Sequence, residues 1–175
     1  MRSFELLKRE IAMSAWCRRI LTLCLAALAV GAGDAALACP NPDLGGGSIL
    51  SSNGASLRLG QSRRVFAGGA GSLDGCTYLG LPEVPVARFN DAPALVAELG
   101  GMLGLGMEIG VFSSCATALL VQTEDESWYF NDDGQGPGRP RMLLSRPGNG
   151  TLSVWIGTED GQPCRARVTL TTLMR

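Results

Sequence analysis

The chain has 175 residues, no histidine, a single lysine and a formal net charge of −1. Without histidine there is no Ser-His-Asp or Cys-His dyad and no histidine zinc ligand. So mild a charge argues against a nucleic-acid or anionic-membrane surface.

In chain order, the first element is an export signal. Lys8, Arg9, Arg18 and Arg19 precede the apolar run 20–30, which leads to Ala36–Leu37–Ala38. A charged region, an apolar region and a small-x-small cleavage site are the marks of a secretory signal peptide, here residues 1–38. The run is short of the roughly 20 apolar residues a membrane span needs, and no second run of that length follows. A start at Met13 would give a more ordinary signal than Met1. Cleavage near Ala38 leaves one domain, residues 39–175, destined for the periplasm or the exterior. That domain carries ten arginines and thirteen carboxylates, a formal charge of −3, and no lysine. It therefore has no Ser-Lys dyad and no Schiff-base lysine.

Cys17 and Cys24 leave with the signal, and Cys39, Cys76, Cys115 and Cys164 remain. An even number in an exported domain implies two disulfides, with three possible connectivities. Cys39–Cys76 with Cys115–Cys164 is preferred, since each bond then stays within one half of the domain. Leu37–Ala38–Cys39 is also a partial lipobox, so a lipid anchor through Cys39 is the alternative. It would leave one cysteine unpaired.

Short β-type runs follow at 56–59, 63–67, 86–89, 107–113, 118–123, 127–131, 141–144, 151–156 and 165–171. Turn residues separate them, including Gly68–Gly69, Asp74–Gly75, Asp133–Gly134 and Asp160–Gly161. In 151–156, Leu152, Val154 and Ile156 alternate with Thr151, Ser153 and Trp155, the period of a half-buried strand. The pattern predicts an all-β, antiparallel sandwich or barrel. The segment 91–100 is ambiguous. Asp91, Pro93 and Gly100 punctuate a helix, but the same residues suit a strand ending in a glycine turn.

Glu124–Asp125–Glu126 and Asn131–Asp132–Asp133 flank the strand at 127–131. At about 3.3 Å per residue they stand some 15 Å apart, too far to form one site. Asn131, Asp132 and Asp133 form a candidate oxygen-ligand set for calcium. The spacing is not that of an EF-hand, and three side chains fall short of the six to eight oxygens the ion takes. The competing reading is a plain turn. Trp128 and Trp155 are candidates for core packing or for a carbohydrate-stacking platform. Arg139, Arg141 and Arg146 read as a solvated loop or as partners of Asp132 and Asp133. No catalytic residue is assigned. A small hydrolase working through carboxylates is the alternative to a non-catalytic module.

The runs Leu119–Leu120–Val121, Trp128–Tyr129–Phe130–Asn131–Asp132–Asp133–Gly134, Arg141, Gly150, Val154–Trp155–Ile156–Gly157–Thr158 and Ala166–Arg167–Val168–Thr169–Leu170 resemble the bacterial pre-peptidase C-terminal domain. Cys39–Pro40–Asn41, Phe66–Ala67–Gly68–Gly69 and Leu73 with Cys76 are similar to small stand-alone exported proteobacterial forms of it. The resemblance implies a jelly-roll-type β-sandwich that is a non-catalytic appendage of secreted peptidases, with calcium or substrate contacts in some relatives. This chain has no room for a peptidase. Ala116 stands where relatives often carry an aspartate, which weakens the calcium expectation at Asp132 and Asp133. The expected partner is a protein or glycan of the envelope or extracellular space, with no nucleic acid, no membrane span and no cofactor other than that calcium ion.

Overall fold

The computed structural model describes residues 39–174; the expected signal peptide, residues 1–38, lies outside the described residues. Eleven strands form two sheets: β1 (Ile49–Asn53), β2 (Gln61–Ala67), β3 (Gly71–Ser72), β4 (Arg88–Phe89), β5 (Leu95–Gly100), β6 (Leu105–Ser113), β7 (Thr117–Gln122), β8 (Trp128–Asn131), β9 (Arg141–Leu144), β10 (Gly150–Thr158) and β11 (Cys164–Met174). The protein is an all-β sandwich with two disulfides, Cys39–Cys76 and Cys115–Cys164.

The first sheet is centred on β10. Along one side of β10 lie β5 and then β4, end to end; β7 and then β8 lie on the other. β1 adds to β5 in parallel and β3 adds to β4. The second sheet runs β2-β11-β6-β9, antiparallel throughout.

Alternation explains the core between the sheets. Leu95, Ala97 and Leu99 of β5 and Leu152, Val154 and Ile156 of β10 point inward. Facing them are Met107, Ile109 and Val111 of β6 and Ala166, Val168 and Leu170 of β11. The same alternation resolves the ambiguous segment 91–100: its second half is strand β5, with every other residue buried.

The first sheet is buried on its outer face too. Ala118, Leu120 and Trp155 point outward there and pack against Leu73, Cys76, Leu79, Ala87 and Phe89. The connection 73–87 between β3 and β4 thus forms a third layer, tied down by Cys39–Cys76. A strand covered on both faces loses its polar alternation, which is why β7 reads Thr-Ala-Leu-Leu-Val with every residue buried.

One predicted strand is a different element. Ser56–Leu59 is a turn of 3-10 helix. The Asn53 side-chain oxygen accepts from the Ser56 N–H at 3.0 Å, and Gly60 closes the turn at φ 74°. Four residues of alternating Ser-Leu-Arg-Leu suit either element. The Asn53 side chain, accepting from the first residue of the turn, and the positive-φ glycine decide for the turn, and Leu57 is left fully buried in the inter-sheet core. The run at 86–89 contributes only its last two residues as strand, because Pro85 and the exposed Val86 belong to the preceding loop.

Candidate functional site

The predicted metal set is built into a loop. The Asn131 side-chain oxygen accepts from the Gly134 N–H at 3.0 Å and from the Arg141 N–H at 2.9 Å. It thereby closes the loop between β8 and β9, whose interior adds the Gly136-to-Asp133 and Gln135-to-Arg139 main-chain bonds. That oxygen is committed to two donors. Asp132 and Asp133 are exposed, and the Asp133 carboxylate accepts only from the Asn131 amide at 3.4 Å. The structure does not bring Arg141 to either aspartate; its guanidinium pairs with Glu108 across β6 and β9. No group of three or more His, Cys, Asp or Glu side chains gathers among the described residues.

The second acidic run lies at the other end of β8 and is also structural. Glu124 accepts from the Thr151 N–H at 2.7 Å, joining the β7–β8 turn to β10. Asp125 accepts from the Thr123 hydroxyl and the Ser127 N–H. These bonds, led by the Thr123 hydroxyl, hold the exposed Asp125 carboxyl below its usual range.

Trp155 is a core residue, 1% exposed, and its indole N–H donates to the Asp91 carbonyl at 3.0 Å. Trp128 packs on it, ring centroids 5.1 Å apart, and meets Tyr78 edge-on at 5.9 Å. The Tyr78 hydroxyl donates to the Pro40 carbonyl, and partial burial pushes its pKa up. The two tryptophans therefore anchor the third layer, and Trp155 is too buried to serve as a stacking platform.

What the structure adds is the free edge of β8. The Thr123 N–H donates to the Ser127 carbonyl at 3.1 Å, and Val121 and Leu119 register with Tyr129 and Asn131. Hydrogen-bonded and open pairs alternate in an antiparallel ladder. Ser127, Tyr129 and Asn131 therefore turn their main-chain groups to β7. The N–H and C=O groups of Trp128 and Phe130 point outward, and β8 has no strand on that side.

A groove of about 980 Å³ borders this edge. Its floor includes Trp128, Tyr129 and Phe130, and its far wall is the loop 80–87, Gly-Leu-Pro-Glu-Val-Pro-Val-Ala. Val84 and Val86 of that loop are 53% and 83% exposed. The charged residues of the lining are Glu83, Asp132 and Glu159, all acidic. Of the residues singled out in the sequence, Asp132 and Trp128 belong to the groove, while Asn131 and Asp133 serve the adjoining loop. The loop 80–87 and Glu159 carried no sequence signal beyond paired prolines and a turn acid. The open edge was out of reach, because it depends on which strand ends up beside β8.

No protein-family model matches the chain, and no curated protein sequence matches it. The pre-peptidase resemblance therefore rests on the motifs quoted above. Among solved structures, the chain is similar to that of Aeromonas hydrophila PliG, a periplasmic lysozyme inhibitor of g-type lysozyme. The identity is 10% and the TM-score 0.42, over 72% of this chain and 98% of that one. A likeness at this level decides neither fold nor function.

Proposed function

We propose that the protein is an exported, non-catalytic β-sandwich module, of the pre-peptidase C-terminal type, that holds an extended polypeptide segment of a periplasmic or extracellular partner along β8. The observation that carries this is the outward N–H and C=O groups of Trp128 and Phe130 beside an apolar groove. Unpaired edge groups are a template for an added strand, and flanking pockets select its side chains. The three acidic lining residues favour a segment with basic side chains.

A hydrolase is disfavoured on chemistry. Paired carboxylates must be held in fixed geometry to act as acid and base or nucleophile. Glu83, Asp132 and Glu159 are exposed. None of the three shares a side-chain hydrogen bond or ion pair that would fix it. The two disulfides and the N-terminal signal support export. No helix among the described residues is long and apolar enough to cross a membrane, and the Cys39 sulfur that a lipid would need is bonded to Cys76.

The test is capture from an envelope extract with three proteins. Wild type and Phe130→Leu, which keeps the N–H, are expected to retain a protein that Phe130→Pro loses. Both variants lose the ring; proline in addition removes the outward donor, which the β7 ladder does not use. A capture profile unchanged by Phe130→Pro, in a variant shown to be folded, would sink the reading.

A further inference from the structure

The outer face of the second sheet carries an independent feature. Five side chains from three adjacent strands meet there: Arg64 and Phe66 of β2, Arg165 and Arg167 of β11, and Phe112 of β6. The register puts Arg165 opposite Phe66, and places Arg167 between Arg64 on one side and Phe112 on the other. The two phenyl rings are 63% and 60% exposed. They stand two strands across and two residues along from each other, about 12 Å on the diagonal, and border a depression of about 690 Å³ that has no acidic residue in its lining.

The charges here are uncompensated. Among the described residues the ion pair is Arg141–Glu108, so Arg64, Arg165 and Arg167 have no carboxylate partner. Arg64 and Arg167 are direct cross-strand neighbours, an arrangement of like charges that opposes sheet formation. Three exposed guanidinium groups without carboxylate partners thus stand beside two exposed phenyl rings. An anionic ligand with an apolar face would pair with both.

We infer that this depression binds an anionic glycan, its acid groups on Arg64, Arg165 and Arg167 and its sugar rings against Phe66 and Phe112. Guanidinium groups match carboxylate, phosphate and sulfate oxygens in paired geometry. The C–H faces of sugars suit bare phenyl rings. An acidic peptide is less suited, because the depression lies on the face of the sheet, and strand main-chain donors point within the plane of the sheet, not toward its face. A bilayer calls for a projecting apolar crest, whereas the apolar groups here wall a hollow. Arg165 and Arg167, two residues apart on one strand, are separated by about 6.6 Å, a span that two acid groups of one oligosaccharide can bridge.

The experiment is isothermal titration of the intact domain with short oligosaccharides bearing carboxylate (a tetragalacturonate), phosphate or sulfate groups. The neutral methyl ester of the first is the control. At least one acidic probe is expected to bind, the ester is not, and raising salt should weaken binding. Arg167→Gln should lower affinity about tenfold and Phe112→Ala several-fold. Phe130→Pro, on the other sheet, should leave it unchanged. Arg64→Gln should weaken binding while its melting temperature equals or exceeds that of wild type, separating a ligand contact from a structural role. Failure of all acidic probes, equal binding of the ester, indifference to Arg167→Gln, or preference for anionic vesicles or single-stranded DNA over the glycans would overturn the proposal.

Discussion

Asn131 shows how one side chain redirects a motif. Its oxygen accepts from Gly134 and Arg141, so what reads as an oxygen ligand is the latch of a loop. Asn131→Ala leaves two N–H groups to find other partners and is expected to cost about 1–2 kcal/mol, roughly 3–8 °C in melting temperature for a domain of this size. Amides of 132–140 should exchange faster with solvent. Calcium titration is expected to leave the melting temperature unchanged. A rise that disappears in Asp132→Ala would restore the metal reading. At the other end of β8, Asp125 gives a pH dependence of definite sign. Its folded-state pKa is depressed by the Thr123 hydroxyl and the Ser127 N–H. The stability it contributes is therefore complete above the ordinary carboxylate pKa and falls away as pH drops through its lowered folded value. Asp125→Asn should be less stable than wild type at neutral pH, with the gap closing in acid. Parallel denaturation curves at several pH values measure this, and a gap that widens in acid would reverse the assignment.

Among the elements, those that carry a sustained apolar or alternating run were legible. β9 runs over the very residues the pattern predicts, and β6, β10 and β11 extend one to three residues beyond their apolar runs at one or both ends. What failed was short or depended on neighbours. β1 escaped because only Leu50 of its five residues is buried, and Ile49 is 68% exposed. Its place is set by pairing with β5. Ser56–Leu59 misled because four residues do not separate a period of two from one of three. The third layer was invisible because 73–87 has little regular structure, and its apolar residues matter only once Trp155 and Leu120 lie beneath them. Close approach is the limiting condition beside that layer. A Cβ on Gly69, whose φ is 157°, would sit 2.1 Å from the Phe89 carbonyl carbon. Gly69→Ala should cost about 2–4 kcal/mol. Gly110→Ala in β6, where a Cβ meets nothing within 4 Å, should be near neutral or slightly stabilising. Chemical denaturation of the two variants tests the contrast, and equal stabilities would contradict the packing described.

At the scale of the molecule the two disulfides do different work. Cys115–Cys164 joins the start of β7 in the first sheet to the start of β11 in the second. Cys39–Cys76 holds only the outer layer. Replacing the second pair, as Cys39→Ala with Cys76→Ala, should keep the β circular dichroism signal while tryptophan emission shifts red as Trp155 and Trp128 meet water. Replacing Cys115 and Cys164 should lower global stability by about 2–5 kcal/mol, with little shift in native emission. Identical behaviour of the two double variants would show that the outer layer is not a separable unit.

The order of strands has a consequence for the chain as it emerges. The last two strands are the hubs: β10 lies between β5 and β7, and β11 between β2 and β6. Before residue 150 is available, the first sheet exists only as the separate pairs β1–β5, β3–β4 and β7–β8, and β2 has no partner. Isolated two-stranded pairs are marginal in water, and the missing contacts are of long sequence separation, which makes their closure slow. A polypeptide threaded N-terminus first through a membrane would therefore stay pliable until β10 and β11 had crossed. It would acquire its shape, and its two cross-links, only on the far side.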